Sequence, residues 1–288
     1  MQRIMVIGAG VMGSGIAQLC AQAGYQVVMS DPDPQALNRA MAQIAPFLAK
    51  LEAKGALRQP AEKVLSRLSL AGDLSGAAGA ELIIEVVPEK LELKLAIFAE
   101  VERLASEQAI LASNTSSIPI SSLAQGLKRP QRLLGLHFTP PVPISHLVEV
   151  VRHDGTSEEV FQAGLEVVRT LGKEPLAVRK DVPGFVINRI FAAALSQALK
   201  LVEEGVATAE EVDLGMRLGY GWTIGPLQTA DLVGLDTVLL VSQSLAQQGE
   251  SRLAGGMGLL QDMVRQGRLG RKSGRGFYEY AKPAPAAK

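Results

Sequence analysis

The sequence predicts an α/β protein: a doubly wound, mostly parallel sheet in the N-terminal part and an all-α domain after it. Three observations predict this. Short apolar runs alternate with helix-length stretches between residues 4 and 113. A glycine turn joins the first run to the first helical stretch. Beyond Pro183-Gly184 the apolar period changes from strand-like to helical. The expected domains are 1–182 and 183–288.

The first run, "IMVIG" (4–8), leads into Gly8-Ala9-Gly10-Val11-Met12-Gly13 and then into the helix-like "SGIAQLCAQAG". A second strand, "YQVVMSD", ends in Asp31. GxGxxG alone is weak evidence, because glycines collect in turns. Here a strand precedes it, a helix and a second strand follow, and an acid stands 23 positions beyond Gly8. That context marks a Rossmann-type dinucleotide site. Gly8 makes the tight turn, Gly10 lets a pyrophosphate approach the backbone, and Gly13 lets the helix pack close to the strand. The helix N-terminus, with Val11 and Met12 in the turn, stabilises phosphate charge. Asp31 can accept from both ribose hydroxyls and would repel a 2′-phosphate. No arginine or lysine follows it directly, so NAD is expected over NADP. The bland alternative is a ligand-free glycine turn beside a solvated aspartate.

Residues 38–68 read as two amphipathic helices joined near Gly55. "ELIIEVV" (81–87) is a strand, "KLELKLAIFAEVERLA" a helix and "AILAS" (109–113) another strand. Ligands of such sheets sit beyond the carboxyl ends of the strands. Two of those ends carry chemistry: Pro88-Glu89, and "SNTSS" (113–117) with Asn114 and Ser116. A hydroxyl-rich turn is equally often a capping turn.

"LLGLHF" (133–138) and "HLVEVV" (146–151) are strand patterns separated by the proline-stiffened "TPPVPIS". A chain that doubles back around Val142-Pro143 sets His137 opposite Glu149. A glutamate that accepts one ring N–H fixes the tautomer and raises the basicity of the other nitrogen. That nitrogen can then take a proton from a substrate hydroxyl. The alternative is a buried pair that satisfies only itself. The setting, a strand end in a dinucleotide-binding sheet, favours chemistry. His146 and His153 read as ordinary exposed residues. Histidine and cysteine spacings fit no metal site, "GRKSG" lacks the P-loop glycine spacing, and no GxSxG is present.

In the C-terminal part, Ile187, Ile190, Phe191, Ala194, Leu195, Ala198 and Val202 fall on one helical face. Thr208 and Glu211 form a capping box that opens another helix. "GLDTVLLVSQSLAQQ" and "GGMGLLQDMVRQG" continue the helical reading. This domain is too apolar on several faces to stand alone, so a dimerising, substrate-closing role and a homodimer are expected. The tail "GRLGRKSGRGFYEY" should dock through Phe277 and Tyr278.

Composition narrows the partners. Of 288 residues, 47% are hydrophobic and 20% charged, which fits a globular chain. Lys+Arg 29 balances Asp+Glu 29 and aromatics are 4%, so neither nucleic acid nor an anionic membrane is an expected partner. Cys20, the single cysteine, excludes an internal disulfide and reads as buried and inert. "MQRIMVIGAG" runs into a strand without a signal-peptide pattern, and no apolar stretch approaches the ~20 residues of a membrane span. The expected location is cytoplasmic, or an organelle matrix.

Together these residues resemble the L-3-hydroxyacyl-CoA dehydrogenase family, in its short bacterial 3-hydroxybutyryl-CoA form. The likeness runs from "VIGAGVMGSGIAQ" through "LASNTSS", "GLHF…PVP…LVEVV" and "PGFVINR" to "GPLQTADLVGLDT" and "LGRKSGRGFYEY". It implies NAD-dependent interconversion of an L-3-hydroxyacyl-CoA and its 3-oxoacyl-CoA. It also implies His137 as catalytic base, Glu149 as its orienting partner, and Ser116 and Asn188 on the reacting oxygen. Glu89 and Lys94 match residues near the nicotinamide and its ribose, and Lys54 matches a lysine that meets the coenzyme A phosphates. The family usually reads HFFNP where this chain has His137-Phe138-Thr139-Pro140-Pro141. That change bears on acyl preference and keeps open a carrier-protein-bound hydroxyacyl group or a free hydroxy or sugar acid as substrate.

Overall fold

Strand β1 (Arg3–Ile7) lies inside the sheet of the computed structural model, which describes residues 1–247, 249 and 256–281. Ile4, Met5, Val6 and Ile7 are all buried, as a parallel strand covered on both faces requires. The glycine turn leads into α1 (Val11–Gln22), and β2 (Gln26–Ser30) returns parallel to β1. Then come α2 (Pro34–Ala53), the short α3 (Ala61–Leu65) and β3 (Leu68–Ala71). The second half adds β4 (Leu82–Glu85), α4 (Leu91–Leu104), β5 (Ile110–Ser113) and α5 (Ile120–Ala124). It ends with β6 (Leu133–Phe138), β7 (Leu147–Val151), α6 (Glu158–Thr170) and β8 (Glu174–Val178).

The eight strands run in the order β3-β2-β1-β4-β5-β6-β7-β8. Every neighbouring pair is parallel except β6–β7, whose short proline-rich connection makes them antiparallel. The order reverses between β1 and β4, which opens a crevice at the strands' carboxyl ends. Ile16, Ala17, Cys20 and Ala21 of α1 join strand residues in one apolar core. Cys20 is fully buried there, and burial pushes its thiol pKa up to about 12, so it is inert as expected.

Several expectations need correction. The second helix expected within 38–68 is only five residues long, because Pro60 sets its start and Leu68 already belongs to β3. β3 gave no sequence signal: it is an edge strand with Ser69 and Leu70 exposed. His153 is buried rather than exposed. Its Nε2 lies 3.0 Å from the Pro130 carbonyl oxygen and its Nδ1 accepts the Gly155 N–H at 3.1 Å.

Chain contacts define one compact unit over Met1–Phe185 and a second that begins at Val186. The second is helical: α7 (Ile187–Glu203), α8 (Ala209–Tyr220), α9 (Pro226–Val233), α10 (Leu235–Gln247) and α11 (Met257–Arg265). Gln248 and Gly255, which end and begin the last two expected helical stretches, lie outside the described residues. The capping box of Thr208 and Glu211 is formed. Leu195, Ala198 and Leu199 of α7 pack with Leu227, Leu235, Leu260 and Met263. Ile190, expected on that face, is exposed instead, since the buried stripe runs through Ala192, Leu195, Ser196 and Leu199. The tail docks as expected. Phe277 joins the core, and the Tyr278 hydroxyl donates to Asp213 at 2.8 Å.

Candidate active site

The glycine turn closes where β1 ends. Gly8 has φ +109°, and its N–H donates to the Ser30 carbonyl at 2.7 Å, which ties the turn to β2. A Cβ on Gly13 would stand 1.9 Å from the Gly8 carbonyl oxygen, so only glycine allows this approach of helix to strand. A Cβ on Gly10 would meet nothing within 4 Å. The backbone at Gly10 therefore faces open space, at the N-cap of α1. Asp31 directly follows β2, and its Oδ2 and Oδ1 accept the N–H groups of Ala9 and Asp33, each at 2.9 Å. A carboxylate has about four acceptor sites, which leaves capacity for a ribose. A cleft of about 790 Å³ runs from Gly8, Gly10, Val11 and Met12 past Asp31 to Val87 and Pro88. An open backbone donor end, an acid at the next strand and this volume fit a dinucleotide.

A buried charged set stands at the ends of β4 and β5. Lys94, on α4, is 1% exposed and donates to Glu85 Oε1 at 2.7 Å. It also lies 3.2 Å from Glu89 Oε2. The second Glu85 oxygen accepts the Ser113 hydroxyl at 2.6 Å. Glu89 in turn gathers the hydroxyl-rich turn: its Oε1 accepts from the Thr115 hydroxyl, the Ser116 N–H at 3.1 Å and the Ser117 N–H at 3.0 Å. Burial raises the Glu89 carboxyl pKa, but the Lys94 ammonium and the Thr115 and Ser117 hydrogen bonds outweigh it and hold it below its ordinary value. Asn114 links adjacent strand ends, with its Oδ1 accepting the Phe138 N–H at 2.9 Å.

Across β6 and β7 the register places His137 opposite Glu149, as the fold-back about Val142-Pro143 predicts. His137 Nδ1 and Glu149 Oε2 are 2.7 Å apart, with the ring N–H donating to the carboxylate. Glu149 is fully buried and His137 is 6% exposed. Lys173 braces the connecting loop by donating to the carbonyls of Pro143 and Ser145, and burial pushes its ammonium pKa down. Within the same loop the Thr139 and Ser145 hydroxyls bond one another.

The first unit thus brings together the glycine turn with Asp31, and Glu89 and Lys94 with Asn114 and Ser116. Separately, it pairs His137 with Glu149. Asn188 lies in the first turn of α7, in the second unit. Lys54 is the exposed C-cap of α2 and lines neither the cleft nor the groove beside Pro140–Pro143. Sequence reasoning missed Glu85. Its signal was present: one acid inside the apolar run "LIIEVV".

A doubly wound sheet with this turn and acid, and an acid–imidazole pair at a strand end, defines a dinucleotide-dependent oxidoreductase. The profile described as "3-hydroxyacyl-CoA dehydrogenase, NAD binding domain" matches residues 3–182, and "3-hydroxyacyl-CoA dehydrogenase, C-terminal domain" matches residues 184–280. The chain belongs to the 3-hydroxyacyl-CoA dehydrogenase family and is an NAD-dependent enzyme. It is 44% identical to a probable 3-hydroxybutyryl-CoA dehydrogenase of Deinococcus radiodurans, over 96% of this chain and 99% of the relative. It is 42% identical to a 3-hydroxybutyryl-CoA dehydrogenase of Bradyrhizobium diazoefficiens, over 99% and 98% of the two chains. The crystal structure of (S)-3-hydroxybutyryl-CoA dehydrogenase PaaH1 from Ralstonia eutropha superposes with a TM-score of 0.92. That comparison has 39% identity and covers 98% of this chain and 100% of the other. Among the described residues, no helix is long and apolar enough to cross a membrane.

Proposed function

We propose that this enzyme interconverts short-chain L-3-hydroxyacyl-CoA and 3-oxoacyl-CoA thioesters, 3-hydroxybutyryl-CoA and acetoacetyl-CoA foremost, with His137 as general base. The observation that carries the reading is the 2.7 Å contact of His137 Nδ1 with Glu149 Oε2. That hydrogen bond occupies Nδ1 and leaves Nε2 to take the C3 hydroxyl proton. Glu149, a buried carboxylate, then stabilises the imidazolium. In the reductive direction the same nitrogen returns the proton. NAD, when bound, supplies the hydride acceptor.

The other roles rest on the family likeness together with placement. Ser116 and Asn188 hold the reacting oxygen. Gly8, Gly10, Val11, Met12, Gly13, Asp31 and Asn114 bind the cofactor, with Glu89 and Lys94 toward its nicotinamide end. Lys54, exposed at the end of α2, meets the coenzyme A phosphates. Names of the relatives supply the acyl length. Exposed apolar side chains on the helical unit, among them Ile190, Leu218, Tyr220 and Leu240, support a homodimer. The proposed location is the cytoplasm.

The test is NADH oxidation with acetoacetyl-CoA beside free acetoacetate at matched concentration. Rapid oxidation with the thioester alone is the expected result. Oxidation with neither substrate, while NADH still binds, would move the substrate outside the short acyl-CoA series and turn attention to Thr139 and Pro140.

A further inference from the structure

His137 has a second neighbour besides Glu149. The ring of Phe185 lies 5.6 Å from the imidazole, centroid to centroid, with the planes tilted by 60°. Phe185 is 3% exposed. Its backbone has φ +49°, and among the described residues it is the one non-glycine residue with positive φ. Side-chain-bearing residues rarely adopt that conformation, and bulky ones are genuine outliers there.

The local chain explains how the conformation is held. Phe185 closes a turn, its N–H donating to the Val182 carbonyl at 3.0 Å, directly after Gly184 with φ +74°. Just before that turn, Asp181 Oδ2 accepts the Ser121 N–H at 2.8 Å, which anchors the segment to α5. A glycine would take the backbone at 185 without strain. The chain instead carries a large ring there, and that ring packs against the imidazole.

We infer that Phe185 is a positioning residue for His137: its strained turn presses the aromatic ring onto the imidazole and fixes the plane in which Nε2 points. This rests on the reading of His137 as general base. One hydrogen bond at Nδ1 fixes an edge of the ring but still permits tilt about that bond. Contact by Phe185 removes the remaining freedom. Proton transfer depends steeply on such alignment, because the reacting atoms must meet at hydrogen-bond distance. Phe185 itself takes no part in the proton's transfer.

The experiment combines Phe185→Leu and Phe185→Gly with His137→Gln in the full chain, using NADH and acetoacetyl-CoA. Phe185→Gly keeps the left-handed turn and removes only the ring, so it separates the ring from a failure to form the turn. Each Phe185 variant should lower kcat by about tenfold, with the KM for NADH held within about twofold. In the His137→Gln background the same changes should alter turnover by less than about twofold, because the residue they act through is gone. Phe185→Tyr, which keeps a ring, should recover most of the turnover. Unchanged kcat in Phe185→Gly would overturn the inference, and so would an equal loss in both backgrounds. In both of those cases His137→Gln alone keeps its roughly 10²–10⁴-fold lower, still measurable turnover and the general-base reading survives. Near-normal turnover of His137→Gln alone would overturn that reading and this inference together.

Discussion

Glu149 and Glu85 are both fully buried carboxylates in one sheet, yet the first faces an imidazole and the second an ammonium. Neither could stand alone, because an unpaired buried charge costs several kcal/mol. The partners set what each pair can do. Imidazole is the side chain suited to proton exchange, whereas the Lys94 ammonium is held between two carboxylates. On the proposed reading the His137–Glu149 pair passes a proton, whereas the Glu85–Lys94–Glu89 set holds the shape of the cofactor's surroundings. What it holds is the turn after β5, through the hydrogen bonds Glu89 accepts from Thr115, Ser116 and Ser117.

Substitutions should separate the two. The largest stability effect is expected for Lys94→Met, which leaves Glu85 buried without its cation and should cost about 3–5 kcal/mol in a urea unfolding titration. A loss below about 1 kcal/mol would mean that the set is not the scaffold described. Next comes Glu149→Gln, which removes the charge that stabilises the imidazolium while keeping an acceptor for the ring N–H. Turnover should fall roughly 10²-fold with NADH affinity unchanged, and steady-state kinetics beside a binding titration read both. A variant that folds normally but no longer binds NADH would place Glu149 in the scaffold instead.

The smallest effect is a pH dependence at Glu89. The Lys94 ammonium and the Thr115 and Ser117 hydrogen bonds hold its carboxyl pKa below the ordinary glutamate value, so the native state gains stability from the charged form. That contribution is present above the unfolded value and is lost as pH falls through the lower folded one. Unfolding midpoints measured from pH 6 to pH 3 should therefore drop less steeply for Glu89→Gln than for the wild-type protein (approximate range set by the ordinary carboxylate pKa). Parallel profiles would remove Glu89 from the charged set.

The same contrast explains what was legible in the sequence. His137 and Glu149 are joined by one short proline-rich connection, so strand pattern alone fixed their register. The glycine turn and Asp31 were legible because the fingerprint is local to one βαβ unit. Lys94 was named only through the family likeness, and its burial was not legible: only packing of α4 against the end of β4 buries it on Glu85. Glu85 meets Ser113 from 28 positions away, a distance no pattern spans. His153 was misread because its polar partners, Pro130 and Gly155, come from two different loops. β8 and α6 carry no motif, and β3 is an exposed edge, so their places follow only from the assembled sheet.

The most direct measurement is turnover of His137→Gln with acetoacetyl-CoA and NADH, with NADH binding and the urea midpoint determined on the same preparation. The account predicts turnover lower by about 10²–10⁴-fold, with NADH still bound and the midpoint nearly unchanged. Turnover close to that of the wild-type enzyme would contradict it and leave the His137–Glu149 pair a structural one.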